Sequence, residues 1–165
     1  MSKIHFFLYA FLVTAIIVTS PAHATNGNLK PAHVQSWAEK AVIETFSFGH
    51  NFHERQLQYA SDYFTPEGWE KFSDALAKSR IIESIKMNEQ DVISEIGDFQ
   101  ETSIQWLEDK GQWHVQIPIH TSFKTYRRGY TQKYIVNVYI IETDKGSDEQ
   151  MNLGIVQWIA IPYSK

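Results

Sequence analysis

Near Gln90 the spacing of apolar residues changes from a period of about 3.6 to a period of two, and few architectures accommodate that change within one chain. Before it, Val34, Trp37, Ala38, Ala41, Val42, Thr45 and Phe46 follow Pro31 at helical spacing and fall on one stripe. Gly49-His50-Asn51 interrupts that pattern, and a shorter helical stretch carries Leu57, Ala60 and Phe64. Thr65-Pro66-Glu67 is a restart signal: a Thr hydroxyl can accept from free backbone N–H groups, and Pro suits the first helical position. Trp69, Phe72, Ala75 and Leu76 then form the expected buried stripe of a third helix, and Ile81, Ile82 and Ile85 a further turn or short fourth helix.

After Gln90, Val92–Ile96 reads as a short strand and Ile104 and Trp106 alternate with polar neighbours. Asp109-Lys110-Gly111 supplies a turn, followed by alternating Trp113, Val115, Ile117 and Ile119. Tyr134, Val136, Val138 and Ile140 repeat the pattern, with Ile135, Tyr139 and Ile141 on the opposite parity; that strand is expected to be central and covered on both sides. Met151, Leu153, Ile155, Ile159 and Ile161 read as a last strand in one phase. Pro118, which cannot donate to a ladder, predicts an edge strand or a bulge at its position. Helices followed by strands imply an α+β fold, with amino-terminal helices packed on one face of a curved antiparallel sheet.

The first 24 residues form a separate unit. Lys3 is their single charge, an apolar run extends from Ile4 to Val18, and Ala22-His23-Ala24 is a small-x-small end. This is the layout of a secretory signal peptide, cleaved between Ala24 and Thr25. The competing reading is a retained anchor, for which the run is short against the roughly 20 apolar residues that a spanning helix needs. Residues 25–30 are a polar leader and 31–165 one domain, a size able to bury its own core. Export places the domain in the periplasm; the anchored alternative places it at the inner membrane facing the same compartment. The whole chain has 15 basic and 19 acidic residues, and without Lys3 the balance is 14 against 19, a net of −5. That balance argues against a nucleic-acid partner, whose affinity comes from cancelling phosphate charge. The absence of Cys excludes disulfides, thiolate metal sites and Cys nucleophiles.

Candidate chemistry is sparse. His50-x-x-His53 could face one ion only if both lay on a helix, and His114 and His120 share a strand parity. No HExxH spacing is present, and solvated or capping histidines are the favoured reading, with no metal and no cofactor. Helices over a curved sheet can enclose a conical pocket, in which a buried carboxylate with a Tyr or His partner would support isomerase-like chemistry. Asp98, Glu101 and Glu142, with Tyr126, Tyr130 and Tyr139, are the candidates, each near an expected turn or strand end where an exposed group is the simpler reading. No G-x-S-x-G turn marks a nucleophile. Lys124, Arg127, Arg128 and Lys133, interleaved with Phe123, Tyr126, Tyr130 and Tyr134, form a basic cluster that reads as a solvated hairpin end, with a protein or membrane-surface contact as the alternative.

Three blocks carry a resemblance. Phe46-Ser47-Phe48, Phe52, Gln56-Leu57, Phe64-Thr65-Pro66-Glu67-Gly68-Trp69, Phe72 and Ala75-Leu76 form the first; Trp113-His114-Val115-Gln116-Ile117-Pro118 the second; Gly154-Ile155-Val156-Gln157-Trp158-Ile159-Ala160 the third. In this order they resemble the periplasmic domain of the DotI/IcmL family, inner-membrane components of type IVB secretion systems related to TraM of conjugation machines. The resemblance implies a VirB8-like, NTF2-like domain without catalysis or cofactor, acting as an assembly subunit near the inner membrane, with other secretion-apparatus proteins as partners and self-association among its properties. It also implies a structural role for the motif residues Phe46, Phe48, Phe64, Thr65, Pro66, Gly68, Trp69, Phe72, Trp113, Pro118, Gly154 and Gln157. Family members carry a cytoplasmic tail and spanning helix before this domain, whereas three residues precede the apolar run here. The expected function is thus a non-enzymatic component or soluble paralogue acting through protein–protein contacts. A small-molecule-binding or isomerase-like pocket on the same fold is the alternative.

Overall fold

The computed structural model describes residues 29–51, 53–143 and 152–164. Four helices precede five strands: α1 (Pro31–Thr45), α2 (His53–Ser61), α3 (Pro66–Ser79), α4 (Ile81–Met87), β1 (Asp91–Ile96), β2 (Ser103–Leu107), β3 (Gln112–Lys124), β4 (Gly129–Glu142) and β5 (Leu153–Pro162). The expected α+β class is the one observed. The Ala24–Thr25 cleavage junction and the first 24 residues lie outside the described residues.

The strands form one antiparallel sheet in the order β1-β3-β4-β5, with β2 also paired to β3. Both β1 and β2 run along the same side of the long strand β3. β1 pairs with residues 119–124 and β2 with residues 112–116. Pro118 sits opposite the break between them, which corrects the edge-strand expectation: β3 is flanked on both sides, by β4 and by the β1/β2 pair. The Pro118 carbonyl accepts from Gly97 N–H at 2.8 Å, and its missing donor falls where the partner chain is already leaving the ladder.

The α1 stripe packs onto one sheet face. Val34, Ala38, Ala41 and Val42 bury completely against Val115, Ile117, Ile119, Val136, Val138, Ile140 and Ile155. A smaller cluster joins Phe48, Ile85, Val92 and Phe123, with Ile81 and Ile82 against it. Arg80, left-handed at φ 55°, ends α3 and turns the chain into α4.

β4 is central as expected, but among the described residues no second layer covers its outer face. Ile135, Tyr139 and Ile141 are half-buried there because neighbouring side chains lean over them. His114 stacks on Tyr139 with centroids 4.7 Å apart, and Asn137 Oδ1 lies 2.9 Å from His114 Nε2 and accepts from Gln116 Nε2 at 3.3 Å. The loop between β1 and β2 folds Phe99 over the same face, against His120 and Tyr163. β5 departs from the single phase expected of it. The β4–β5 register shifts between Tyr139 and Ile140, where Gln157 and Ile155 are the successive partners and Val156 is the extra residue. The shift reverses the strand's parity. Leu153 and Ile155 face the helices before it and Trp158 after it, and Ile161 is turned outward, 50% exposed.

Candidate interaction surface

The motif residues meet where α3 crosses β5. Thr65 Oγ1 accepts from Gly68 N–H at 3.0 Å, the capping bond expected of Thr65-Pro66. Thr65 N–H also donates to the Ile155 carbonyl at 3.0 Å, and Ile155 N–H donates to the Tyr63 carbonyl at 2.9 Å. The start of α3 is thereby stitched to the free side of β5. Gly68 is buried at this crossing, and a Cβ there would stand 2.1 Å from the Ile155 carbonyl oxygen. Gly154 plays a similar part, since a Cβ would lie 2.8 Å from Thr65 Cγ2. Phe64, Trp69, Phe72, Trp158 and Phe46 form a connected aromatic nest with centroid separations of 4.9–6.0 Å.

Phe48 belongs to the smaller cluster and bridges to Val92 through paired backbone hydrogen bonds of 2.9 Å. Trp113 is buried in the main core against Trp106. Pro118 is buried at the gap described above. Gln157 lines a cleft under α3. The sequence expectation needs correcting on one point: Trp69, Phe72, Ala75 and Leu76 are half-buried rather than buried. Phe72, Ala75 and Leu76 lie over that cleft, which has about 70 Å³ of free space and is also lined by Phe46, Phe123 and Trp158.

Among the described residues the cleft has no Asp, Glu, His or Tyr in its lining; Thr45, Lys71 and Gln157 are its polar members. The carboxylates considered for chemistry are scattered away from it. Asp98 is exposed and lies 3.0 Å from His120 Nε2, an arrangement that holds its carboxyl below the usual range, the hydrogen bond from His120 being the main cause. Glu101 is exposed. Glu142 is half-buried, with Oε1 shielded and without a hydrogen-bond partner among the described residues. Tyr139 stacks on His114, and Tyr126 and Tyr130 stand at the surface. A carboxylate–tyrosine contact does occur, but elsewhere: Tyr63 donates to Glu44 Oε2 at 2.5 Å on the exposed side of α1. Burial, then the Glu44 charge and bond, raise the Tyr63 hydroxyl far above its usual range.

His50 precedes α2 rather than sharing a helix with His53, and its Nδ1 lies 3.1 Å from Asp91. Among the described residues no group of three or more His, Asp or Glu could hold a metal ion. Nor is any described helix long and apolar enough to cross a membrane.

The basic cluster is the most pronounced surface feature. The β3–β4 connection is the four-residue turn Thr125–Arg128, in which Thr125 N–H donates to the Arg128 carbonyl at 2.7 Å. Thr125 Oγ1 accepts from the N–H groups of Arg127 and Arg128 at 3.2 and 3.0 Å, so one side chain organises the loop. Tyr126 is fully exposed at its apex. Tyr130 stacks on Phe123 with centroids 4.8 Å apart, stiffening the stem. Lys133 turns back toward the domain, its Nζ 4.9 Å from the Phe99 ring centroid. Motif spacing does not point to the Thr125 turn; a Thr two positions before paired Arg residues is the local signal that marks it.

Residues 11–162 match the DotI/IcmL family, described as "Type-IV b secretion system, inner-membrane complex component". No curated protein matches the sequence significantly. Among solved structures, the chain is similar to an IcmL-like type IV secretion system protein from Legionella pneumophila, at TM-score 0.73 and 22% identity, over 84% of this chain and 97% of that one. It is also similar to the periplasmic domain of DotI, at TM-score 0.71 and 24% identity, over 84% of this chain and 99% of that one. CagV, a VirB8 homologue from Helicobacter pylori, shares the fold at TM-score 0.62 and 12% identity, over 81% of this chain and 99% of that one. The match over residues 11–162 spans most of the sequence, and the chain belongs to the DotI/IcmL family of type IVB secretion-system components.

Proposed function

We propose that this protein is a non-enzymatic DotI/IcmL-type component, or a soluble paralogue associated with the apparatus, that works through protein–protein contacts in the periplasm. Other secretion-apparatus proteins and further copies of the chain are its partners. The observation that carries this reading is where the family's motif residues are used. Thr65, Gly68, Phe64, Phe72 and Gly154 are spent on joining α3 to β5, and the neighbouring cleft contains no acid–base pair. Chemistry needs ionisable groups converging on a reacting atom, whereas a recognition module needs a rigid frame and a shaped exterior. The pocket reading is not favoured, because neither a carboxylate nor a histidine lines the cleft.

Deletion of the gene is expected to impair type IVB substrate translocation, and the chain isolated from envelopes should bring other secretion components with it. Intact translocation together with no such association would overturn the proposal. The amino-terminal residue of the purified protein separates the two forms: Thr25 in the periplasmic fraction for the cleaved paralogue, Met1 in the membrane fraction for the anchored subunit.

A further inference from the structure

We propose that the Thr125–Arg128 turn is a docking point for an acidic protein surface, at the end of the sheet opposite the entry to α1. This deepens the protein-contact reading above and rests on it.

The first argument is charge. Residues 120–133 contain Lys124, Arg127, Arg128 and Lys133 and no acid, while the rest of the chain after residue 24 carries ten basic residues against all 19 acidic ones. An acidic body with a basic tip is strongly dipolar, and such a field steers and orients an acidic partner. Among the described residues neither Arg127 nor Arg128 forms an ion pair; the acids aligned with the hairpin are Asp91, opposite Lys124 and already beside His50, and Glu95, opposite His120, which also meets Asp98. Both guanidiniums sit on a turn whose backbone is held by Thr125. Little order is therefore lost when they meet carboxylates, to which their planar forks bind bidentately. Tyr126 adds an exposed ring between the stem and the two Arg residues, the residue type that most often anchors an interface.

Orientation decides between an acidic protein and an anionic bilayer. α1 ends beside β1, where Ser94 Oγ donates to the Phe46 carbonyl at 2.8 Å and Phe48 bridges to Val92. From there it runs back along β3 toward β2, so Pro31 lies toward the end of the sheet opposite the turn. A tether through the residues before Pro31 would hold the basic turn away from the inner membrane. The turn also offers no aliphatic side chain to insert among acyl chains.

The test uses the full chain as isolated from envelopes, its R127E/R128E and R127K/R128K variants, and a K40E/K110E control with the same change in net charge. Binding is read by fluorescence anisotropy against a labelled deca-glutamate peptide, and by co-sedimentation with phosphatidylethanolamine–phosphatidylglycerol vesicles; circular dichroism verifies folding. The expected result is a loss of roughly tenfold or more in peptide affinity for R127E/R128E at low salt, a smaller loss for R127K/R128K, and no comparable loss for the control. Equal loss in the control, unchanged peptide binding in R127E/R128E, or vesicle binding that depends on Arg127 and Arg128 would overturn the proposal. Complementation of the deletion strain separates the levels. If the gene is needed for translocation and R127E/R128E restores it fully, the docking site falls while the proposed function stands; if deletion has no effect, the functional reading itself falls.

Discussion

Gly68 lies where helix and sheet backbones come closest, and its lack of a side chain sets how close that is. With a Cβ 2.1 Å from the Ile155 carbonyl oxygen, Gly68→Ala forces α3 to move off β5, and neither neighbour is a flexible chain end that could yield. The expected cost is about 1–3 kcal/mol of stability, seen as a lower urea midpoint with an unchanged slope. A variant as stable as the parent would show that the crossing is looser than this spacing. Sequence alone marks Gly68 as part of a motif; it does not reveal that the opposing atom is a β5 carbonyl 87 positions later. The same holds for Thr125. Its hydroxyl organises the basic turn through contacts that span two and three positions, which are local enough to be read from the sequence once their pattern is sought.

Elements differ in how firmly they are held. α1 lies on the main core, with five fully buried side chains, whereas α4 is held through Ile85 in the smaller cluster with Phe48, Val92 and Phe123. Ile85 is 1% exposed, so Ile85→Ala should cost about 2–5 kcal/mol. Because that cluster is separate, the loss should be felt first as local opening. Hydrogen exchange should accelerate across α4 and β1 well before β3 and β4; uniform acceleration would mean that the two clusters unfold as one. The helices were legible because each has a stripe or a cap: Thr65-Pro66 starts α3, and Ile81, Ile82 and Ile85 mark α4. The strands were legible by alternation. What alternation could not show was the shift opposite Tyr139/Ile140, because Leu153, Ile155, Ile159 and Ile161 keep one parity in sequence while the extra residue reverses the face in space.

At the scale of the whole molecule, stability depends on pH through buried phenols. Burial, with a smaller effect from Tyr130, pushes the Tyr134 hydroxyl up to about 12. A raised value means that the folded state resists losing the proton. Stability is therefore complete below the ordinary tyrosine value of about 10 and declines as pH rises from there through about 12, by on the order of 2 kcal/mol from this group. The partly buried Tyr63 hydroxyl, also raised, acts in the same direction. In Tyr134→Phe the fall in urea-derived stability between pH 10 and 12 should be shallower, and an unchanged slope would mean that Tyr134 ionises without cost to the fold. The same scale separates what each source of information decides. Period, caps and composition determined by themselves that helices precede an antiparallel sheet and that the chain is acidic apart from one hairpin, because these depend on neighbours a few positions apart. Only the tertiary structure decided that Pro118 faces a gap between two strands, that β5 changes face, that the outer side of β4 has no covering layer among the described residues, and that the basic turn and the entry to α1 lie at opposite ends. Each of these follows from which distant backbones meet, and no local spacing encodes that.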